Sequence, residues 1–339
     1  MHKFFQLRLL LLVALLLSGC AKEKSESARE WEQRQIDAYL TLYYPDLVDS
    51  LHTSGIYILN YTPSGGTVQF TGDTSQWVQF DYTGMYLNGT KFMETDSTKA
   101  HLLGTFSYTT HYIPVYSQYW SGTMLSGLYA ALGKMYVGDV MKVLLPSWMA
   151  YGSSGSSSIS GNTPIILELT MRGIVDDPKQ YELDQVNAIK TADNEFVELL
   201  DSTGAVLSGI YIKYVDTVAP TDSTPYLKKG DVPSLKYSGY FLDTFLLDSN
   251  VGAVAKKYNR YPSSGSDTSK YSSYLTYTYG SAGELIPAFN AALWHIAPGS
   301  TIEVIFTSTW GYGSTGYMSG APQIYPYTPL RYKIYFDSE

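Results

Sequence analysis

The sequence predicts an α+β protein built from two copies of one strand-rich domain. Three observations carry that prediction. The chain repeats itself at offsets of 154 to 161 residues, too long for a solenoid unit and right for a domain. Its apolar segments are short and alternate or run continuously, as strands do, with a single short helical pattern inside each copy. Hydrophobic residues make up 45% of the 339 positions and charged residues 16%, a balance that excludes a coiled coil or a mostly disordered chain.

In order along the chain, MHKFFQLRLLLLVALLLSGC has two basic residues, an apolar run, small residues and Cys20, the only cysteine. The run is shorter than the ~20 residues a membrane span needs, so residues 1–19 read as an export signal. LLSGC resembles the bacterial lipoprotein lipobox, which implies cleavage before Cys20 and a lipid on its thiol. The expected setting is the bacterial cell envelope, with the protein anchored to a membrane, the outer one being favoured. Residues 20–30 form a charged tether, 31–177 the first domain and 183–339 the second, with turn chemistry at DDPK between them.

Each copy opens with a helical pattern, EWEQRQIDAYLTLYY in the first and QVNAIKTADNEFVELL in the second. TSGIYILNY from Thr53 recurs as LSGIYIKYV from Leu207, and FDYTGMYLNGTKF from Phe80 recurs as LKYSGYFLDTFLL from Leu235. Two Ser/Tyr-rich stretches, 96–122 and 258–281, lack periodicity and are expected to be loops or flap strands. The short helical patterns MLSGLYAAL and LIPAFNAAL follow, each stopped by a glycine within a few residues. VLLPSWMAYGSSG from Val143 recurs as VIFTSTWGYGSTG from Val304, and a final strand such as LRYKIYF ends the copy.

Several function classes are excluded. A net charge of −8 without a basic block leaves nothing to neutralise phosphates, so no nucleic-acid partner is expected. His52, His101, His111 and His295 have no partner at metal-ligand spacing, so neither a metal nor another cofactor is expected. GYGSTG at Gly311 satisfies a dinucleotide expression but lacks the strand–turn–helix context, and no nucleophile elbow supports a serine hydrolase. The 32 tyrosines, against 12 Phe and 6 Trp, point to half-wet aromatic faces, since each hydroxyl needs a partner or solvent.

YTGMYLNGTKF, a short MLSGL or LIPAF helix, VGDVMKVLLPSWMAYG and a last strand entered through TPIILEL or YTPLRYKIYF occur in that order. The chain thereby resembles tandem FKBP-type peptidyl-prolyl cis-trans isomerase domains over 55–177 and 209–337. The resemblance implies, in each copy, a curved antiparallel sheet wrapped around one short helix, with an apolar pocket for a substrate proline and a preceding N-terminal helix. It places Tyr82, Phe92, Met124, Leu125, Leu128, Tyr151 and Leu167 in the first pocket. In the second it places Tyr237, Leu247, Asp248, Leu285, Ile286, Phe289, Ile324, Tyr312 and Tyr332. Tyr237, Asp248, Ile286, Phe289, Tyr312 and Tyr332 are the expected catalytic set, with the Ile286 amide and Tyr312 phenol as hydrogen-bond donors. The first copy departs further from the family: Met93 replaces the aspartate, Leu128 the floor tryptophan, and SSSISGNTP offers no counterpart of the Ile324–Pro326 loop. Packing alternatives remain open, because inward tyrosines on strands and Leu125 with Leu128 at i and i+3 are also what a plain core shows. The expected partners are proline-containing segments of exported proteins. The alternative function is a non-catalytic lipoprotein that binds a peptide or glycan.

Overall fold

Ser27 caps the first helix, α1 (Ala28–Tyr43), in a reciprocal box with Glu30, so helix begins inside the stretch expected to be tether. The computed structural model describes residues 26–48, 55–71, 75–217, 227–263, 265–281, 283 and 285–337; Cys20 and the signal segment lie outside them. No helix among the described residues is long and apolar enough to cross a membrane.

The first copy continues through β1 (Tyr57–Thr62), β2 (Trp77–Tyr86), β3 (Lys91–Glu94), α2 (Ser97–Leu102), β4 (Val115–Gln118), α3 (Ser126–Leu132), β5 (Val140–Leu145) and β6 (Ile165–Val175). Its sheet is antiparallel with order β1-β5-β6-β2-β3, and β4 pairs with β2. The second copy has α4 (Pro178–Ala192), β7 (Val197–Leu200), β8 (Val206–Asp216), β9 (Ser234–Phe241), β10 (Leu246–Ser249), α5 (Gly252–Lys257), α6 (Ser269–Ser272), β11 (Leu275–Thr276), α7 (Pro287–Leu293), β12 (Thr301–Phe306) and β13 (Leu330–Phe336). Its sheet order β7-β8-β12-β13-β9-β10, with β11 on β9, repeats the first and adds β7 at the edge. The mixed α+β architecture is the predicted one, with the strand order of the first copy repeated in the second.

Alternation builds the layers. In the first copy Val143, Leu145, Ile165 and Leu167 face α3 and its Leu132, while Leu144 and Ile166 face the opposite side and meet Ile36 and Leu40 of α1. In the second copy Val304 and Phe306 join Phe289 and Leu293 of α7, whereas Ile305 packs under Val186 of α4. Each sheet is thus covered on both faces, by the short helix and by the N-terminal helix.

One expectation is corrected. The second opening helix lies over 178–192, not 185–200: Asp177 accepts from the Lys179 and Gln180 amides and Pro178 occupies the first turn, so DDPK starts a helix. VELL then extends as β7 against β8. The stretches 96–122 and 258–281, expected to be loops or flap strands, hold the strands β4 and β11 and in addition the short helices α2 and α6. Asp96 caps α2 by accepting from the Lys99 amide.

The copies touch through aromatic side chains. Trp77, Tyr116 and Val175 of the first are covered by Tyr325 and Tyr327 of the second. Beside them His111 lies on the Phe245 ring, with centroids 4.4 Å apart, and its Nε2 stands 2.7 Å from the Asp243 carboxylate.

Candidate active site

Strand β9 brings Tyr237 to the inner face of the second sheet, facing the ring of Phe289 edge-on at 6.1 Å. Tyr332, opposite Gly239 on β13, closes the third side and meets Phe289 at 5.3 Å. A Cβ on Gly239 would stand 2.5 Å from the Tyr332 ring, so the glycine of YSG is what lets that ring lie flat across β9. In the first copy the equivalent space over Gly84 is filled by Phe92 of β3 instead.

These three rings floor a cleft of about 550 Å³. All nine residues expected of the second pocket line it: Tyr237, Leu247, Asp248, Leu285, Ile286, Phe289, Tyr312, Ile324 and Tyr332. The Tyr237 hydroxyl donates to Asp248 Oδ2 at 2.7 Å, and Lys270 pairs with the other carboxylate oxygen. Burial, then the Asp248 charge and that hydrogen bond, push the Tyr237 phenol far above its ordinary range. It stays a neutral donor. Burial raises Tyr332 in the same way, with Tyr312 and Tyr237 adding to it. Tyr332 and Tyr312 meet through their hydroxyls. The Ile286 amide, just ahead of α7, has no acceptor among the described residues. The arrangement is an open, aromatic-floored cleft with neutral donors and the Asp248 carboxylate at its rim and, among the described residues, no group of ligands able to hold a metal.

The first cleft is smaller, about 220 Å³, and is lined by Tyr82, Met124, Leu125, Leu128, Tyr151 and Leu167 together with Phe80, Val115, Ser117 and Thr123. Phe92, expected in this pocket, is not among its lining residues. Its ring covers Gly84 and packs on Tyr86 at 5.2 Å. Met93, at the place of Asp248, is 46% exposed and gives Tyr82 no carboxylate to bond. Leu128 replaces the Phe289 ring.

The sequence reading missed three residues. Glu32 of α1 and Glu182 of α4 are both fully buried, and each reaches under the sheet to the short 3-10 turn that precedes the cleft tyrosine. Glu32 accepts from the Ser147 amide at 2.5 Å and its hydroxyl at 2.7 Å; Glu182 accepts from the Ser308 amide at 2.6 Å and its hydroxyl at 2.9 Å. The turns 147–149 and 308–310 lead directly into Tyr151 and Tyr312, so these carboxylates fix where the phenols begin. A Glu at the same depth in both opening helices was the available signal. The third is Ile159, 2% exposed, whose carbonyl accepts from Ser156 as that of Ile324 accepts from Tyr317. SSSISGNTP therefore does hold a counterpart of Ile324, on a shorter loop.

Among solved structures, the three FKBP domains of wheat FKBP73 match with 14% identity and a TM-score of 0.31, over 84% of this chain and 95% of that one. A peptidyl-prolyl cis-trans isomerase from Pseudomonas syringae pv. tomato matches with 17% identity and a TM-score of 0.32, over 47% of this chain and 91% of that one. Neither likeness is close enough to bear on function. No curated protein matches the chain. The family model of FKBP-type peptidyl-prolyl cis-trans isomerases matches residues 71–172, most of the first copy. Residues 71–172 are thus similar to an FKBP-type peptidyl-prolyl cis-trans isomerase domain.

Proposed function

We propose that the whole chain is a prolyl isomerase and folding factor of the cell envelope, with two FKBP-type clefts in tandem, acting on X-Pro bonds of exported proteins. The observation that carries this reading is the Tyr237–Phe289–Tyr332 box with the Ile286 amide and Tyr312 at its rim. Rotating a peptide bond costs ~18–20 kcal/mol because resonance is lost, and an isolated X-Pro bond takes tens to hundreds of seconds. A twisted amide has a less polar carbonyl than a planar one, so an aromatic box holds it better than it holds the ground state. No nucleophile is needed. The Ile286 N–H and the Tyr312 O–H orient the bound chain by donating to its carbonyls. The envelope setting rests on LLSGC and its single cysteine.

Binding without catalysis is the second reading, and it is favoured for the first cleft by Met93 and Leu128 in place of Asp248 and Phe289. Cis-to-trans rates on proline peptides separate the two. The full chain accelerates them, and Tyr312→Phe, which removes one donor and keeps the ring, costs about 1 kcal/mol, roughly a fivefold loss in kcat/KM. Absence of acceleration by the wild type across several peptides leaves only the binding reading. Cys20→Ser yields an unprocessed or soluble protein; recovery of a lipid-labelled, membrane-bound variant refutes the anchor.

A further inference from the structure

The copies differ in the loop that returns to the last strand. In the first, Gly155 (φ 71°) leads to Ile159, closed by a Ser156 to Ile159 hydrogen bond of 2.8 Å. In the second, Gly316 (φ 65°) leads to Ile324, closed by a Tyr317 to Ile324 bond of 2.7 Å, so the enclosed segment is longer by four residues. The longer loop walls its own cleft with Tyr317, Ala321 and Pro322. The shorter one contributes nothing to the lining of the first cleft.

A further cavity of about 310 Å³ adjoins the first cleft and shares Tyr82 and Val115 with it. One wall is Glu94, Thr95 and the 109–113 segment of the first copy; the other is Gly320–Gln323 and Tyr325 of the second. Tyr325 is anchored there by its packing against the Trp77, Tyr116 and Val175 cluster, and it is near enough to Tyr82 to help keep that phenol protonated, after burial and Tyr151. Gln323 is exposed on the rim. Glu94 is the one carboxylate among the lining residues.

We propose that the first cleft is a composite site, in which residues 320–325 of the second copy supply, across the domain interface, the wall that the first copy's short loop lacks. An extended polypeptide sets its proline among Tyr82, Leu128 and Leu167 and runs its flanking residues between Glu94–Thr95 and Gln323–Tyr325. A basic residue beside the proline suits Glu94. This assignment rests on the prolyl-isomerase reading for the identity of the ligand.

The test uses the full chain carrying Ile286→Glu, which sets a carboxylate in the apolar mouth of the second cleft and silences it while leaving 320–325 in place. Two peptides are compared, an X-Pro tetrapeptide and an octapeptide with flanking lysine. Rates and fluorescence anisotropy of the labelled octapeptide are measured. Adding Tyr325→Ala or Gln323→Ala raises KM for the octapeptide about fivefold relative to the tetrapeptide. Gln323→Lys, an exposed change that spares the fold, shifts preference about fivefold from the lysine octapeptide to its glutamate version. Equal effects on both peptides, or an unchanged charge preference, overturn the proposal, as does failure of the Ile286→Glu chain to bind the octapeptide. Octapeptide binding that depends on Gln323 without turnover supports the composite site and instead overturns catalysis in that cleft.

Discussion

Removing Glu182 unfastens the second cleft from behind. The carboxylate is 2% exposed and its acceptors serve the Ser308 amide at 2.6 Å and hydroxyl at 2.9 Å, both out of reach of solvent on a residue 3% exposed. Glu182→Ala leaves two buried donors unmet at ~1–3 kcal/mol each, so a loss of about 2–6 kcal/mol is expected. Glu182→Gln keeps an oxygen for one donor and the volume of the side chain, and the loss of charge assistance costs about 1 kcal/mol. Urea unfolding of the full chain, followed by the NMR signal of the Trp310 indole N–H, which donates to the Ser208 carbonyl from the turn itself, reads the second copy. Ser308→Ala combined with Glu182→Ala then costs less than the sum of the two single changes, because one network is broken once. Additive losses, or a Glu182→Ala protein as stable as wild type, would refute the claim that this contact holds the turn. Isomerase assays should show the Glu182→Gln protein losing kcat/KM only to the extent that Tyr312 is displaced, with rates restored by the native residue alone.

Phe289→Leu gives the second cleft the floor of the first. It removes two edge-to-face contacts worth ~0.5–1.5 kcal/mol each, and kcat/KM on a proline peptide is expected to fall several-fold with the circular dichroism spectrum unchanged; wild-type activity would show that the aromatic floor is dispensable. Burial opposes ionisation of Asp139, but donations from Tyr61 Oη, the Ser64 and Tyr136 amides and Ser64 Oγ bring its carboxyl down to about 2. Because the folded value is the lower one, the stability it contributes is present above its ordinary 3.8 and is lost as pH falls from there toward about 2. Asp139→Asn flattens that part of the pH–stability curve; an unaltered acid limb contradicts the assignment. A fragment of residues 176–339 unfolds cooperatively, whereas 183–339, which lacks the Asp177 cap and Glu182, is less stable by calorimetry; equal melting of the two would mean that the first turn of α4 is idle.

The domain count, most strands and the second cleft were legible in the chain because the signals that specify them are local. A period of two decides which residues of β5, β6, β12 and β13 face inward, and i, i+3 spacing brings Leu125 with Leu128 and Ile286 with Phe289 to one side of a short helix. The second helix was misplaced because the apolar spacing of 185–200 outweighed the capping signal of Asp177–Pro178, although capping is what starts a helix. Phe92 shows the next limit. Whether its ring enters the cleft or covers Gly84 depends on which neighbour claims the space above that glycine, and Tyr332 claims it in the other copy.

By itself the sequence determined a duplicated α+β fold and the residues that line the larger of its two equivalent clefts. Only the tertiary structure decided that Glu32 and Glu182 reach through from the opening helices to the turns before Tyr151 and Tyr312. Only it decided that the long loop of one copy stands over the mouth of the other. Both depend on contacts more than a hundred residues apart, between faces that no periodicity relates. The second also depends on how the copies are turned against each other, which the Trp77, Tyr116, Tyr325 and Tyr327 packing sets.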